Sequence, residues 1–283
     1  MQRQQRLSIR FGLAAGFVAL ATVIGSGVAS QSPITREADL DPPGTFSILG
    51  YDPQTGEIGA AVQSRVFSVG NGVLWAEAGV GAVATQAYVD VGYGPRGIEL
   101  LKQGLAPKAI IDKILAEDPD TRQGWPKAGR QFAVINAKGE LAAYSGPRAP
   151  KEFGDAQGKF CTAQGNTLGR PGVKGEPPDP KPSLVPAAMV EGFEKSEVAA
   201  DGRRNHLSTR LVAALEAGQA AGGDHRGQQS AALIVVKKDC GVWSPHNDVV
   251  LRLQVDDNPE PIVELRRLVE KAIASRLLPC LKR

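Results

Sequence analysis

The sequence predicts an α+β protein of antiparallel sheets with helices layered on their outer faces. Two observations favour this class over a doubly wound parallel sheet. Predicted strands come in pairs joined by short turns, and pairs of helical patterns separate these strand pairs. A parallel sheet would need strands and helices to alternate, because each parallel connection crosses the sheet. The 33 glycines among 283 residues fit the many tight turns of paired antiparallel strands.

Strand patterns are short, rich in β-branched and apolar residues, and bounded by turn compositions such as the segment Asp52–Gly56. The predicted strands span residues 45–49, 58–66, 73–77, 82–88, 130–136, 141–145, 231–236 and 249–255. Two helices follow Pro95 and Pro107, since proline fits the first turn of a helix. Further helical patterns span residues 185–195, 207–217 and 261–276, the second with a leucine every four residues.

Composition and charge exclude several classes of protein. The 33 Lys and Arg against 30 Asp and Glu give a net charge of +3, whereas nucleic-acid surfaces are clustered and strongly basic. Three cysteines are too few for a disulfide scaffold. Charged residues at 22% and hydrophobic residues at 42% exclude a wholly disordered chain. We therefore expect a globular protein that does not bind nucleic acid.

The first 30 residues have the pattern of an export signal. Three arginines fall within the first ten positions, residues 11–24 carry no charge, and Val28-Ala29-Ser30 is a small-residue cleavage site. A transmembrane helix needs about 20 apolar residues, and Gly25 ends this run early. Residues 1–30 are therefore predicted to be a signal peptide, with export to the periplasm or medium and no stable membrane anchor. An uncleaved anchor is the alternative.

Residues 31–44 (QSPITREADLDPPG) are polar and proline-rich, which predicts a linker or a propeptide before one domain over residues 45–283. Export implies an oxidising compartment, where one pair among Cys161, Cys240 and Cys280 can form a disulfide. The sequence does not select the pair.

A dinucleotide cofactor is not predicted, although residues 79–84 match G-x-G-x-x-A and Glu99 lies twenty residues after Gly79. That motif requires a helix to open within it, so that free amides meet the pyrophosphate. Here residues 83–89 alternate like a strand, which indicates a tight turn between strands. No metal is predicted either, because His206, His225 and His246 lack the spacing of metal ligands.

Several polar residues stand at predicted strand ends or in a bent loop. Asp224 and Arg226 are flanked by three glycines in residues 222–227, a pattern that fits an ion pair fixing a turn equally well as a ligand site. The same ambiguity covers Gln63, Ser64 and Arg65, then Thr85 and Gln86, and then Asn166. The candidate substrate-binding residues are Gln63, Ser64, Thr85, Gln86, Asp224 and Arg226.

The dipeptide Gly44-Thr45 carries the sharpest functional hypothesis. A threonine that opens a domain directly after a removable segment can act as an N-terminal nucleophile, with its freed α-amine accepting the hydroxyl proton. The unperturbed α-amine pKa of about 7.7–8.0 suits that role. Within the longer chain the same hydroxyl can attack the Gly44 carbonyl and remove the segment. The alternative is that Thr45 has no catalytic role and begins a strand only because threonine is a good strand former.

The chain from Thr45 to about Lys271 resembles a bacterial domain family of unknown function, placed among the N-terminal nucleophile (Ntn) hydrolases and related in fold to proteasome subunits. The stretches that carry the resemblance follow the same order along the chain. They are residues 45–48, 61–65, 79–86, 93–97, 130–131, 164–166, 221–224, 226–227, 229–232 and 255–257.

This resemblance implies a four-layer αββα sandwich of two antiparallel sheets flanked by helices, with the nucleophile at the start of a central strand. It also implies hydrolysis of an amide or peptide bond in a small molecule or peptide, without a cofactor. Two departures stand out. Many members start with Met-Thr, whereas exposing Thr45 requires removal of 44 residues, and signal cleavage after Ser30 leaves fourteen of them. The proline-rich insert at residues 170–182 is also longer than usual.

Hairpin geometry places residues beside Thr45 independently of the resemblance. If the turn centres near Gln54, Thr45 lies opposite residues 63–64, because paired positions sum to a constant. We expect Arg65 to lower the pKa of the freed α-amine, since a nearby like charge disfavours the ammonium form. Asn166 or a glycine amide would help to hold the oxyanion. The predicted catalytic residues are thus Thr45, Arg65 and Asn166.

Two other functions remain open from the sequence. A non-catalytic exported protein with the same fold would bind a ligand or partner and never free Thr45. A membrane-anchored envelope scaffold would keep its first 30 residues. The oligomeric state is not predicted.

Overall fold

The computed structural model describes residues 44–121, 124–150, 152–169, 184–241, 247–275 and 280. The predicted signal peptide, residues 31–43 of the predicted linker and the proline-rich insert at residues 170–182 lie outside this range.

Two antiparallel sheets form the centre of the protein. The first sheet has six strands in the order β10-β9-β2-β1-β8-β7, and the second has four in the order β3-β4-β5-β6. The strands are β1 Thr45–Asp52, β2 Glu57–Ser64, β3 Leu74–Glu77, β4 Gly81–Ala87, β5 Arg130–Asn136, β6 Leu141–Ser145, β7 Gly154–Gly158, β8 Cys161–Asn166, β9 Ser230–Val236 and β10 Val249–Val255. The helices are α1 Gly70–Val73, α2 Tyr93–Lys102, α3 Pro107–Glu117, α4 Val185–Lys195, α5 Leu207–Ala220 and α6 Pro261–Ala274.

Alternation along the strands divides the apolar side chains into three clusters. One cluster packs the outer face of the first sheet against α4, α5 and α6, and includes Phe46, Ile48, Met189, Leu211 and Leu265. A second lies between the sheets and includes Leu49, Ile58, Ile234, Ala84 and Ile135. The third packs the second sheet against α2 and α3, and includes Val83, Phe132, Ile98, Ile110 and Ile114. The predicted α+β class, with two antiparallel sheets and helices, is therefore confirmed.

The first hairpin has the predicted register. Asp52 closes its turn by accepting hydrogen bonds from the backbone N–H groups of Gln54 at 2.9 Å and Thr55 at 3.4 Å. Thr45 consequently pairs with Ser64, as the sum rule predicted. This hairpin places the start of β1 in the middle of the six-stranded sheet, between β2 and β8.

Most element bounds agree with prediction within two or three residues, but three elements were missed. They are the short helix α1 and the strands β7 and β8. Helix α2 begins at Tyr93 instead of Pro95, because proline is tolerated throughout the first turn.

The cysteine pairing left open by the sequence is Cys240 with Cys280. Cys161 is buried and free, and burial raises the pKa of its thiol to about 12. That thiol therefore stays protonated near neutral pH, which argues against a nucleophilic role. Within the described ranges, no helix has the length and apolar character needed to cross a membrane.

Candidate active site

Thr45 lies at the buried start of the central strand β1. It pairs with Ser64 on β2 and with Asn166 on β8, and only 4% of it is exposed. Its side chain faces the second sheet, because Leu49, four residues later on the same strand face, belongs to the cluster between the sheets. A hydroxyl at this position is enclosed by polar groups from both sheets.

A chain of hydroxyl hydrogen bonds links Thr45 to the carbonyl of the preceding residue. Thr45 Oγ1 lies 3.1 Å from Ser64 Oγ, and Ser64 Oγ donates to the Gly44 carbonyl oxygen at 2.5 Å. A serine hydroxyl has one proton to donate, so Thr45 must be the donor in the first contact. The protons therefore point from Thr45 through Ser64 toward the bond between Gly44 and Thr45.

A buried ion pair reaches the same carbonyl from the glycine-rich loop at residues 222–227. Arg226 Nη2 donates to the Gly44 carbonyl at 2.9 Å and to Asp224 Oδ2 at 2.7 Å, while Arg226 Nε donates to Asp224 Oδ1 at 3.0 Å. The Asp224 side chain is fully buried and that of Arg226 is 14% exposed. The Gly44 carbonyl thus accepts from one hydroxyl and one guanidinium, which is the arrangement expected of an oxyanion site.

Gly44 fits between Arg226, Asp224 and Thr167 only because it has no side chain. A Cβ atom there would lie 2.7 Å from both Arg226 Nη2 and Asp224 Oδ2, and 2.8 Å from Thr167 Cβ. These separations are too short for real Cβ contacts, so a larger residue must displace the ion pair.

An amide network between the sheets fixes the backbone of Thr45. Gln86 Nε2 donates to the Thr45 carbonyl at 3.1 Å, and Ser47 Oγ donates to Gln86 Oε1 at 2.6 Å. Gln131 Oε1 accepts from Gln86 Nε2 at 2.9 Å and from Asn166 Nδ2 at 3.0 Å. Buried hydrogen bonds of this kind hold the groups that make them in one geometry.

A cavity of about 230 Å³ opens beside Thr45. Thr45, Ser64 and Gln86 border it on one side, and its other walls are mainly apolar. Thr45 is therefore adjacent to a space that a substrate group can enter.

Six of the nine predicted site residues come together in the structure. They are Thr45, Ser64, Gln86, Asn166, Asp224 and Arg226. Asn166 contacts the Thr45 carbonyl at 3.5 Å and Gln131, so its amide is engaged within the network. Its predicted part in the oxyanion hole stays a prediction.

Gln63 and Thr85 lie on the opposite faces of their strands. Gln63 pairs with Phe46 and Thr85 pairs with Phe132, and both phenylalanines belong to clusters between a sheet and its helices. The grouping of each with its neighbour at 64 or 86 needs correction, because successive residues of a strand point to opposite sides. Both side chains therefore point away from the layer that holds Thr45, and their predicted substrate-binding role stays a prediction.

Arg65 also points elsewhere. Its Nη1 donates to Gln229 Oε1 at 3.0 Å in an exposed contact, while its backbone N–H donates to Asp224. The guanidinium that reaches the Gly44 carbonyl belongs to Arg226. The predicted effect of Arg65 on the α-amine stays a prediction, and Arg226 is the better placed cation.

Sequence reasoning missed Ser47, Gln131 and Gln164 as members of the site. Gln164 Nε2 donates to Ser47 Oγ at 2.6 Å, which joins β8 to the network. Polar residues at inward-facing positions of otherwise apolar strands, such as Ser47 between Phe46 and Ile48, were the available signal.

A search of curated proteins found no match. The crystal structure of a Silicibacter pomeroyi protein of the DUF1028 family is similar, with a TM-score of 0.66 and 29% sequence identity over 81% of this chain and 86% of that one. The model of the same family of unknown function matches residues 45–265, and so the chain belongs to the DUF1028 family.

Proposed function

We propose that this protein is an Ntn hydrolase that cleaves an amide or peptide bond with Thr45 as the nucleophile. The two sheets and their flanking helices would then be the four-layer αββα sandwich of that superfamily. One observation carries the proposal: the Thr45 hydroxyl and the Gly44 carbonyl are joined through Ser64, with Arg226 donating to the same carbonyl.

The first step in this proposal is self-cleavage before Thr45. Attack of Thr45 Oγ1 on the Gly44 carbonyl carbon closes a five-membered ring. The Thr45 proton passes to Ser64 Oγ, and the Ser64 proton passes to the Gly44 oxygen. When the carbonyl re-forms, the C–N bond breaks and the nitrogen takes up the proton that the oxygen releases. The product is an ester between Gly44 and Thr45 Oγ1, which water hydrolyses to a Gly44 carboxylate and a free α-amine.

Turnover uses the same groups on a substrate amide. The freed α-amine takes the Thr45 hydroxyl proton as Oγ1 attacks the substrate carbonyl, and it returns a proton to the leaving amine. Ser64 Oγ and Arg226 Nη2, no longer bound to Gly44, are available to stabilise the developing oxyanion. Water then hydrolyses the acyl ester and restores Thr45. The proposed reaction needs no cofactor.

Export remains part of this proposal, since the predicted signal peptide lies outside the described residues. The pairing of Cys240 with Cys280 supports it, because disulfides persist mainly in oxidising compartments. Signal cleavage after Ser30 would leave residues 31–44 in place. Self-cleavage would then be the step that exposes Thr45.

The test combines intact-mass measurement with labelling by an acylating probe. The probe is chosen to react with an activated hydroxyl and not with free amines. The wild type and Thr45→Ser should begin at residue 45 and be labelled there, whereas Thr45→Val should keep the preceding segment and stay unlabelled. Thr162→Val is the matched control, a buried strand threonine of the same sheet whose hydroxyl lacks a partner in the described part of the chain. It should process and label like the wild type.

Three further variants separate the roles of the neighbours. Gly44→Ala should retain the segment because its Cβ collides with the ion pair. Arg226→Lys should slow labelling, since it loses the bidentate contact. Arg65→Ala tests the predicted effect of Arg65 on the α-amine: undiminished labelling at neutral pH would remove Arg65 from the mechanism. A wild type purified from its natural host that begins at Gln31 and resists the probe would contradict the proposal. It would favour the non-catalytic ligand- or partner-binding protein.

A further inference from the structure

We infer that the 230 Å³ cavity beside Thr45 selects substrates with one uncharged apolar side chain next to the scissile amide. This inference rests on the proposed role of Thr45 and goes beyond it by naming a substrate class. The cavity has Thr45 and Ser64 at one side, so whatever occupies it lies next to the reacting carbonyl.

Most of the cavity wall is apolar, although Ser68 also borders it. Apart from its polar side, the lining consists mainly of valines, with Phe67 and Trp125. Sites for drug-sized ligands have volumes of about 300–1,000 Å³. A smaller apolar space of 230 Å³ suits one aliphatic or aromatic side chain better than a whole ligand.

Exposed apolar residues converge on this cavity. In the described chain six large hydrophobic residues are exposed, and three of them border the cavity: Val66 at 41%, Phe67 at 64% and Val91 at 53%. Single exposed hydrophobic residues are common, but a contiguous group marks a binding site. These three residues therefore form the mouth of a pocket that an apolar group would cover.

The polar groups in the cavity are already engaged, which disfavours a charged or strongly polar occupant. Gln86 uses its amide for Ser47, Gln131 and the Thr45 backbone. Ser64 directs its hydroxyl to the position of the Gly44 carbonyl, so in the processed protein it would serve the substrate oxyanion and not the side chain in the cavity. No aspartate, glutamate, lysine or arginine borders the cavity among the described residues. A charged side chain placed there would lose its hydration without gaining a partner.

The part of the cavity wall formed by Trp125 is held in place before any ligand arrives. The Trp125 ring packs on Tyr88 with centroids 5.7 Å apart, and the Trp125 carbonyl accepts from Arg130 Nη1 at 3.2 Å. Arg130 is in turn fixed by the buried carboxylate of Asp118 at 3.1 Å. A preformed wall lets apolar contact contribute to selectivity, because little ordering of the protein opposes binding.

The test measures kcat/KM of the purified, processed protein on amides that differ by one side chain, varied first on the acyl side and then on the amine side. The series uses Gly, Leu, Phe, Asp and Lys derivatives. Burying a leucine or phenylalanine side chain corresponds to a preference of about 10- to 150-fold over glycine on the side that enters the cavity. The Asp and Lys derivatives should react no faster than glycine. Equal rates across both series, or a preference for a charged derivative, would overturn the inference.

Variants place the selectivity in this cavity. Val91→Asp should reduce the leucine preference at least tenfold, and Phe67→Ala should reduce it less. Val263→Asp is the matched control, since Val263 has similar exposure at 62% and lies on α6, against the outer face of the first sheet. It should leave the preference unchanged; an equal loss in Val263→Asp would reject this location.

Failure of the proposed function can be told apart from failure of this inference. If the wild type hydrolyses no amide, calorimetric titration of the wild type with the same series still tests the cavity. Binding of the leucine and phenylalanine derivatives that Val91→Asp abolishes would support the pocket and reject the hydrolase. Turnover by Thr45 without side-chain preference would support the hydrolase and reject the pocket.

Discussion

Two aspartate–arginine pairs of the same local geometry allow the energy of the buried pair to be measured. In Asp224–Arg226 and in Asp201–Arg203 the arginine follows two residues after the aspartate, and its backbone N–H donates to Oδ1 at 3.0 Å. The closest guanidinium contacts are 2.7 Å and 2.6 Å. The pairs differ in exposure: 14% for Arg226 and none for Asp224, against 85% and 50% for Arg203 and Asp201.

We therefore predict that Arg226→Met strongly destabilises the protein and that Arg203→Met does not. Removing Arg226 leaves the buried Asp224 carboxylate without its cation, which costs about 3–5 kcal/mol. With a urea m-value of about 3 kcal/mol/M, the unfolding midpoint should fall by roughly 1–1.7 M. Exposed pairs contribute little, so the Arg203→Met midpoint should match the wild type.

The unfolding midpoints of both variants are measured by circular dichroism in urea. The m-value, which is the slope of the unfolding free energy against urea concentration, should be the same as in the wild type. The double variant Asp224→Leu, Arg226→Met should recover much of the loss, because it removes the unpaired buried charge. Equal midpoints for Arg226→Met and Arg203→Met would refute the reasoning, since they would mean that the Asp224 carboxylate does not depend on this partner.

Three more predictions concern stability away from the Gly44 carbonyl. Cys280→Ser should lower the free energy of unfolding by about 4 kcal/mol, because the disulfide closes a loop with a sequence separation of 40; the difference from wild type should vanish in reducing agent. Burial would raise the pKa of Asp52, but hydrogen bonds from Arg204 and from the backbone at Gln54 and Thr55 hold it below its usual range. Asp52 therefore stabilises the fold above the unfolded carboxyl pKa of about 3.9. In urea melts, the difference in unfolding free energy between the wild type and Asp52→Asn should shrink as the pH falls below that value. The buried Gln63 amide lacks a hydrogen-bond partner in the described part of the chain, so Gln63→Met should raise the thermal midpoint, with a gain of about 1 kcal/mol; a clear loss would indicate a partner beyond that part.

The position of Thr45 beside Ser64 could be predicted from the sequence, because it depends only on the local geometry of one hairpin. The turn composition at residues 52–56 fixes the centre of the first hairpin, and the pairing of Thr45 with Ser64 follows by counting. Strand β8, which contributes Asn166, could not be found in this way. Its sequence CTAQGN alternates small with polar residues, but it has one β-branched residue and no large apolar one, so composition alone does not mark it as a strand. Pairing with β1 and β7 supports its conformation.

The choice between Arg65 and Arg226 also lay beyond sequence reasoning. Arg65 follows Ser64 directly, so proximity along the chain favoured it. The chain leaves β2 at that point, however, and the Arg65 guanidinium turns toward Gln229. Arg226 is 182 positions from Gly44, and only the packing of the glycine-rich loop against the start of β1 brings them together.

The distribution of polarity between the sheets argues that Thr45 is more than a good strand former. Away from Thr45 the facing positions are apolar, as with Leu49 and Ile135. Around Thr45 the same layer carries buried serine, asparagine and glutamine side chains, which must each find hydrogen bonds to offset the loss of hydration. A sandwich needing only stability would gain more from apolar side chains there. The network instead converges on the carbonyl groups of residues 44 and 45, which is what the proposed cleavage before Thr45 would require: donors on the Gly44 carbonyl and a fixed Thr45 backbone.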